Sequence, residues 1–278
     1  MKKTENYDLF ANLIHMESLN FDKMIEYYEE TRIFNQDCFN KAINYIVKRF
    51  PPNNYKKVFE PGIGTGRIAI PLAQRGYNIF GIDISDEMLK VLKKRIEQIK
   101  NININYKKAD TTKIPFDSNE FNLAIIVYLF YFIKKWKKAV NEILRVVDGP
   151  IILMHTGYGL EIPFLNERYK QLSEEFGFSI KNIGVKSTKE VVAYLKNLGY
   201  QTEWVKDKWQ WESCIQLNIA INYLEKRSYS FSTFPPDDIH NKVIKNLKKE
   251  LKEKYGKLNQ IIEVPNQIYF GIVQKKFC

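Results

Sequence analysis

The sequence predicts a three-layer α/β/α fold, and three observations carry that expectation. Val58-Phe59-Glu60-Pro61-Gly62-Ile63-Gly64-Thr65-Gly66-Arg67 reads as a short apolar strand, a glycine turn and a helix start. A second strand follows at Gly81-Ile82-Asp83-Ile84-Ser85 and ends on an acid. Further on, residues 121–127 and 151–154 are almost continuous apolar runs, the pattern of strands buried on both faces of a parallel sheet. Between those two runs, Trp136, Ala139, Val140, Ile143, Leu144 and Val147 recur at helical spacing.

The first two motifs together suit a nucleoside. Glycines admit positive φ and remove the Cβ that would keep a ligand from the backbone. A helix N-terminus offers unpaired N–H groups, and an acid ending the next strand is where doubly wound sheets grip a ribose. A dinucleotide fingerprint requires G-x-G-x-x-G, but aligning Gly62 and Gly64 to it puts Arg67 at the third glycine. The spacing here is E-x-G-x-G-x-G. The carboxylate of Glu60 would repel a pyrophosphate and would suit a ligand that carries an ammonium group. S-adenosylmethionine is such a ligand.

On these residues the chain resembles the class I S-adenosylmethionine-dependent methyltransferases, most closely the bacterial group acting on small molecules (the type 11/25-like enzymes). The resemblance implies a Rossmann-like sheet of seven strands with the last antiparallel. It implies that Glu60, Gly62, Ile63, Gly64 and Gly66 hold the methionine end of the cofactor. Asp83 would take the ribose hydroxyls and Ile84 would lie on the adenine face. Lys107-Lys108-Ala109-Asp110-Thr111 is similar to the third signature of the family, which makes Asp110 and Thr111 adenine contacts. The alternative for Asp110 is a turn cap before Ile114-Pro115-Phe116, because Asp favours such places.

The strand at 121–127 runs into Tyr128-Leu129-Phe130-Tyr131-Phe132, where the fourth signature of the family meets the reactive methyl. The Asn or Asp followed by Pro-Pro that marks nucleic-acid amino methyltransferases is missing here, as is a His pair seen in many small-molecule relatives. Tyr128 is therefore a candidate for both cofactor contact and catalysis, and Tyr131 a candidate for the acceptor. The strand at 151–154 ends at His155-Thr156-Gly157-Tyr158-Gly159 on the ligand-binding edge. His155 is a candidate base, with a hydrogen-bonded structural role as its alternative. Tyr158 and Glu161 are candidates for the acceptor side, and Glu161 also reads as a first-turn acid before a helix near Pro163. Tyr28 and Arg32, one helical turn apart, are further candidates there, with ordinary helix packing as the alternative.

The expected organisation has four parts. Residues 1–50 form an N-terminal helical lid with aromatics such as Tyr7, Phe10 and Phe21, and residues 51–206 form the cofactor-binding core. Residues 207–262 form a helical insertion roofing the cleft, and residues 263–278 the final strand. Thr188 opens a helix with Val191, Val192, Leu195 and Leu198 inward, stopped by Gly199. Residues 200–205 resemble the sixth strand and residues 267–273 the antiparallel seventh. In the insertion, Trp209, Trp211, Ile215, Ile219 and Leu224 are expected on one helical face, and Val243, Leu247, Leu251 and Tyr255 on another.

Composition narrows the partners. The chain has 278 residues and a net charge of +11, which by itself invites a nucleic-acid reading. Only eight of its 43 basic residues are Arg, however, and the lysines are scattered through helices without an aromatic-interleaved stripe. An AT-rich coding sequence explains them better. The apolar run at 123–133 is shorter than the roughly 20 residues a spanning helix needs, so no membrane is expected. Cys38, Cys214 and Cys278 form no close pair, and Met1-Lys2-Lys3 opens no apolar signal core; a cytoplasmic location is expected. His15, His155 and His240 show no ligand spacing, so no metal is expected.

The expected activity is methyl transfer to a nitrogen or oxygen of a small molecule or short peptide, leaving S-adenosylhomocysteine. Three rivals remain: an RNA methyltransferase using the basic surface, a nicotinamide dehydrogenase, and a protein that holds the nucleoside without chemistry. Oligomeric state is open.

Overall fold

Continuous apolar runs along the central strands build the sheet, and their successive residues face helices on its two sides in turn. The structure is a computed structural model, and it describes residues 18–157 and 159–275. Tyr7, Phe10, His15, Tyr158 and Cys278 lie outside the described residues. The strands are β1 (Lys57–Pro61), β2 (Asn78–Asp83), β3 (Asn103–Lys108), β4 (Leu123–Val127), β5 (Ile151–His155), β6 (Tyr200–Trp204), β7 (Trp209–Gln216) and β8 (Ile261–Lys275). They lie in the order β3-β2-β1-β4-β5-β8-β6, with β7 pairing β8 off this path. β1 to β5 pair in parallel, and β8 runs antiparallel to β5 and β6. The order reverses between β1 and β4, and a cleft opens at the strand ends there.

On one face, Val58, Ile79, Leu123, Ile125 and Ile152 pack against α2 (Gln36–Arg49), α3 (Ala69–Ala73) and α4 (Asp86–Ile96). On the other, Phe59, Ala124, Ile126, Ile151 and Leu153 pack against α5 (Trp136–Val146) and α7 (Thr188–Asn197). Local signals set the helix starts. Ser85 caps α4 by accepting from Met88 N at 3.1 Å, and Ser187 and Glu190 form a capping box at α7.

The segment around 207–262 departs from the expected all-helical insertion. Trp209–Gln216 is strand β7, paired residue for residue with the first half of β8. Its pattern alternates in the register of a strand, and Trp209 and Trp211 pack toward Tyr45, Phe34 and Phe270. β8 accordingly begins at Ile261, ahead of the expected seventh strand. Ile219 and Leu198, both expected inward, are exposed. After β7, α8 (Leu217–Glu225) and α9 (Asp237–Tyr255) pack with α6 (Pro163–Glu175) around Tyr169, Leu217, Val243 and Leu247.

The described part of the N-terminal segment lies over the strand ends. Leu19 N donates to Phe132 O at 2.9 Å, and Asp22 hydrogen-bonds Ser85 Oγ at the start of α4. Helix α1 (Ile25–Thr31) follows, and Leu160 N donates to Thr31 O at 2.9 Å. Leu19 and Met24 share a small core with Phe178 and Phe234, which joins this segment to the loop after α6 and to the insertion. Among the described residues no helix is long and apolar enough to cross a membrane. Also among them, no group of His, Cys, Asp and Glu is arranged to hold a metal ion.

Candidate cofactor and acceptor cavity

A cavity of about 800 Å³ opens at the carboxyl ends of β1, β2, β4 and β5, within the range usual for small-molecule sites. Its lining includes Tyr28, Arg32, Glu60, Gly62, Ile63, Gly64, Asp83, Ile84, Asp110, Thr111, Tyr128, Tyr131, His155 and Glu161. These are the residues the sequence analysis singled out, apart from Gly66 and the undescribed Tyr158. Gly66 does different work. A Cβ there would stand 2.5 Å from Leu92 Cδ1, so this glycine lets the turn pack on α4 rather than face the cavity.

The turn after β1 is tied down through its own N–H groups. Gly62 N and Ile63 N both donate to Ile82 O, at 2.8 and 3.0 Å, and Gly66 N donates to Ile63 O at 3.0 Å. Gly64 N donates to Asp83 Oδ2 at 2.8 Å. The glycine turn therefore spends these four donors internally, and at the start of the helix the Ala69 N–H turns to Glu60. What it offers a ligand is shape: Gly64 has φ of +54°, and a Cβ built on it meets nothing within 4 Å. Gly81 permits this seating, since a Cβ there would lie 2.3 Å from Ile63 Cδ1 and 2.7 Å from Ile63 Cβ.

Two carboxylates dominate the electrostatics of this end. Glu60 is 4% exposed, and its Oε2 has no hydrogen-bond partner among the described residues. Burial, with the Asp83 charge adding, pushes its carboxyl well above the usual range. Asp83 also accepts from Ser85 N at 2.9 Å; burial raises its carboxyl while the backbone donors hold it down. The Ala69 backbone donates to the Glu60 carboxylate while Oε2 is left without a partner, and a buried carboxylate oxygen of that kind beside an open glycine turn fits a ligand with an ammonium group next to a ribose. The methionine and ribose ends of S-adenosylmethionine match that donor set. Asp110 serves its alternative role too, accepting from Thr112 N at 2.7 Å while lining the cavity.

Arg67 entered the sequence argument only as a missing glycine, and its location shows why it is an arginine. Its guanidinium lies 4.1 Å from the Phe34 ring centroid and donates to Arg32 O. Arg32 sits 4.4 Å from the Tyr28 ring centroid and donates to Thr31 Oγ1 at 2.9 Å. Two guanidiniums thus line the cavity beside the glycine turn. A charged residue inside a glycine motif was the available signal.

The two candidate bases are poorly tuned for proton abstraction. His155 is 7% exposed, its Nε2 lies 3.2 Å from Thr188 Oγ1, and its ring stacks on Tyr269 at 4.5 Å. Burial lowers its pKa from 6.5 to about 4, so the imidazole is neutral and weakly basic near pH 7. Tyr128 has φ of +51°, and burial pushes its phenol upward. Tyr131 Oη accepts from Thr188 N at 3.1 Å. Glu161 is capped by the Asn166 amide, and burial raises it against the pull of Arg32 and Lys170. Thr188, Trp204, Phe231, Phe234 and Tyr269 also line the cavity and had no motif to announce them.

Residues 59–149, the stretch that carries the glycine turn, Asp83 and Asp110, match the model of the family described as "Methyltransferase domain". The chain is 23% identical over 155 residues to the uncharacterized methyltransferase YcgJ of Bacillus subtilis strain 168, covering 55% of this chain and 60% of that protein. It is 33% identical over 111 residues to a demethylmenaquinone methyltransferase of Renibacterium salmoninarum, covering 39% of this chain and 45% of that one. In both cases the match spans less than two thirds of the relative. The crystal structure of the Bacillus YcgJ protein superposes with a TM-score of 0.57 at 18% identity, covering 86% of this chain and 99% of that one. The two share the fold.

Proposed function

We propose, on the premise that residues 59–149 are a class I S-adenosylmethionine-dependent methyltransferase domain, that this chain methylates a nitrogen or oxygen of a small molecule or peptide end inside the cavity. The observation that carries this reading is the buried Glu60 carboxylate, whose Oε2 has no hydrogen-bond partner among the described residues, beside the Gly62–Gly66 turn and Asp83. Glu60 would pair with the cofactor's ammonium, Arg67 and Arg32 with its carboxylate, and Asp83 with its ribose hydroxyls. When bound, S-adenosylmethionine supplies a methyl group already activated by a sulfonium.

The protein's part is then to position and to exclude water. Orienting two reactants can remove roughly 7–11 kcal/mol of barrier. Leu19, Phe21, Phe231 and Phe234 line the cavity from the N-terminal segment and the insertion, so apolar surface surrounds the reacting groups. With His155 neutral and weakly basic and Tyr128 holding its proton, an acceptor nitrogen that arrives neutral suits this site better than an alcohol.

Glu60 gives this reading a pH signature. A carboxyl raised by burial keeps its proton in the folded protein at pH values where the unfolded chain has released it. The ligand-free protein therefore loses this stability as pH rises from 4.5 through the folded pKa. A cationic ligand needs the ionised form and displaces the proton. Below the ordinary α-amino range of about 7.7–8.0 the ligand's amine stays charged. The thermal shift given by S-adenosylhomocysteine is expected to grow from pH 5 to pH 7. In Glu60→Gln the shift should be smaller and nearly flat. A wild-type shift that shrinks over that range would contradict the assignment.

A further inference from the structure

The acceptor half of the cavity is walled by five rings: Tyr128, Tyr131, His155, Trp204 and Tyr269. The pairing of the strands builds this wall. His155 on β5 stands opposite Tyr269 on β8, and the two rings stack at 4.5 Å with an interplanar angle of 2°. Trp204 on β6 stands opposite Gly271, two residues along β8 from Tyr269 and so on the same face. A Cβ at Gly271 would lie 3.1 Å from Trp204 Cζ3, so the glycine gives the indole room to lie across the strand. Trp204 is 5.9 Å from Tyr269, and Tyr128 stands edge-on to His155 at 5.4 Å.

Trp204 is 44% exposed, which a tryptophan serving only the core would not be. The wall itself carries no carboxylate, Glu161 in the same cavity is tied to the Asn166 amide and raised by burial, and the imidazole of the wall is neutral near pH 7. The polar atoms at its rim are hydroxyls: Tyr131 Oη lies 3.0 Å from Thr188 Oγ1, which lies 3.2 Å from His155 Nε2. Aromatic surfaces hold either cations or flat rings. A cation held this far out of water would want a carboxylate beside it, whereas a flat neutral ring needs only area and a hydroxyl partner.

We propose that the acceptor is a flat, uncharged aromatic ring system, which stacks on the exposed Trp204 indole, backed by the Tyr269–His155 stack, and presents its amino or hydroxyl substituent to the methyl donor. This deepens the methyl-transfer reading of the cavity and rests on it.

The test is calorimetric and begins with S-adenosylhomocysteine alone. If that ligand fails to bind the wild type, the methyl-transfer reading falls and takes this inference with it. With the protein saturated, three probes are titrated: 2-naphthol, its saturated analogue decahydro-2-naphthol, and choline. We expect 2-naphthol to bind about tenfold more tightly than either. Trp204→Ala should weaken 2-naphthol about tenfold and leave the affinity for S-adenosylhomocysteine within twofold. The wild-type comparison stands even if the variant does not fold. Choline or decahydro-2-naphthol binding as tightly as 2-naphthol, or a folded Trp204→Ala that binds 2-naphthol like the wild type, would overturn the proposal while leaving the cofactor site intact.

Discussion

Replacing Asp83 by Ala is expected to weaken S-adenosylhomocysteine binding by at least about a hundredfold, since each hydrogen bond to a charged group is worth about 1.5–3 kcal/mol and tenfold corresponds to about 1.4 kcal/mol. On the proposed reading, two ribose hydroxyls on the Asp83 carboxylate would give two such bonds. Asp83 also holds Gly64 N at 2.8 Å and Ser85 N at 2.9 Å, so the variant loosens the turn as well as losing the ligand contact. The two effects separate in the measurement. Calorimetry reads the affinity, while thermal unfolding without ligand reads the structural part. Removal of a buried carboxyl whose pKa is raised relieves some strain of its own, so only a modest change in melting temperature is expected. A variant that unfolds near the wild-type temperature and still binds with wild-type affinity would remove Asp83 from the site.

Gly81→Val should cost both stability and binding, through a different route. Gly81 belongs to β2, in register with Glu60 on β1. Its missing Cβ is filled by Ile63, whose Cβ would lie only 2.7 Å from the new atom. Ile63 is 2% exposed and hydrogen-bonded through its N–H to Ile82 O, so it has nowhere to retreat. Overpacking of this kind typically costs about 1–3 kcal/mol. The turn that must shift carries Gly62 and Gly64, so affinity for S-adenosylhomocysteine falls with stability. Denaturant unfolding of the two proteins checks the first part and titration the second. Unchanged unfolding would show that the turn does not need this seat.

The residues of the candidate cofactor end could be singled out in the sequence because their constraints are local. Glycines that must adopt positive φ, an acid two residues before them and an acid at the next strand end all lie within residues 58–85. The parallel strands announced themselves by continuous apolar runs, which in β4 are 0–4% exposed from Leu123 to Ile126. Strand β7 was not legible. Trp209, Trp211 and Ile215 suit the half-buried face of a strand as well as a helix, and only pairing with β8 decides between them. Leu198 was misjudged for a simpler reason, since it lies at the very end of α7 where the helical face has run out. The acceptor wall was hidden by long-range pairing. Nothing in the sequence places Trp204 beside Tyr269 and His155 until β6, β8 and β5 are laid side by side. His155 and Tyr128 could be named from their strand-end positions, but their protonation follows from burial, which no motif encodes.

The central claim is that this cavity is a methyl donor's site, and the most direct test is calorimetric titration of the wild-type chain at pH 7 with S-adenosylhomocysteine, with NADH in a parallel run. The account predicts saturable micromolar binding of S-adenosylhomocysteine and no binding of NADH, because Glu60 and Arg67 occupy the places a pyrophosphate and its third glycine require. Silence with S-adenosylhomocysteine, or binding of NADH in its stead, would contradict it.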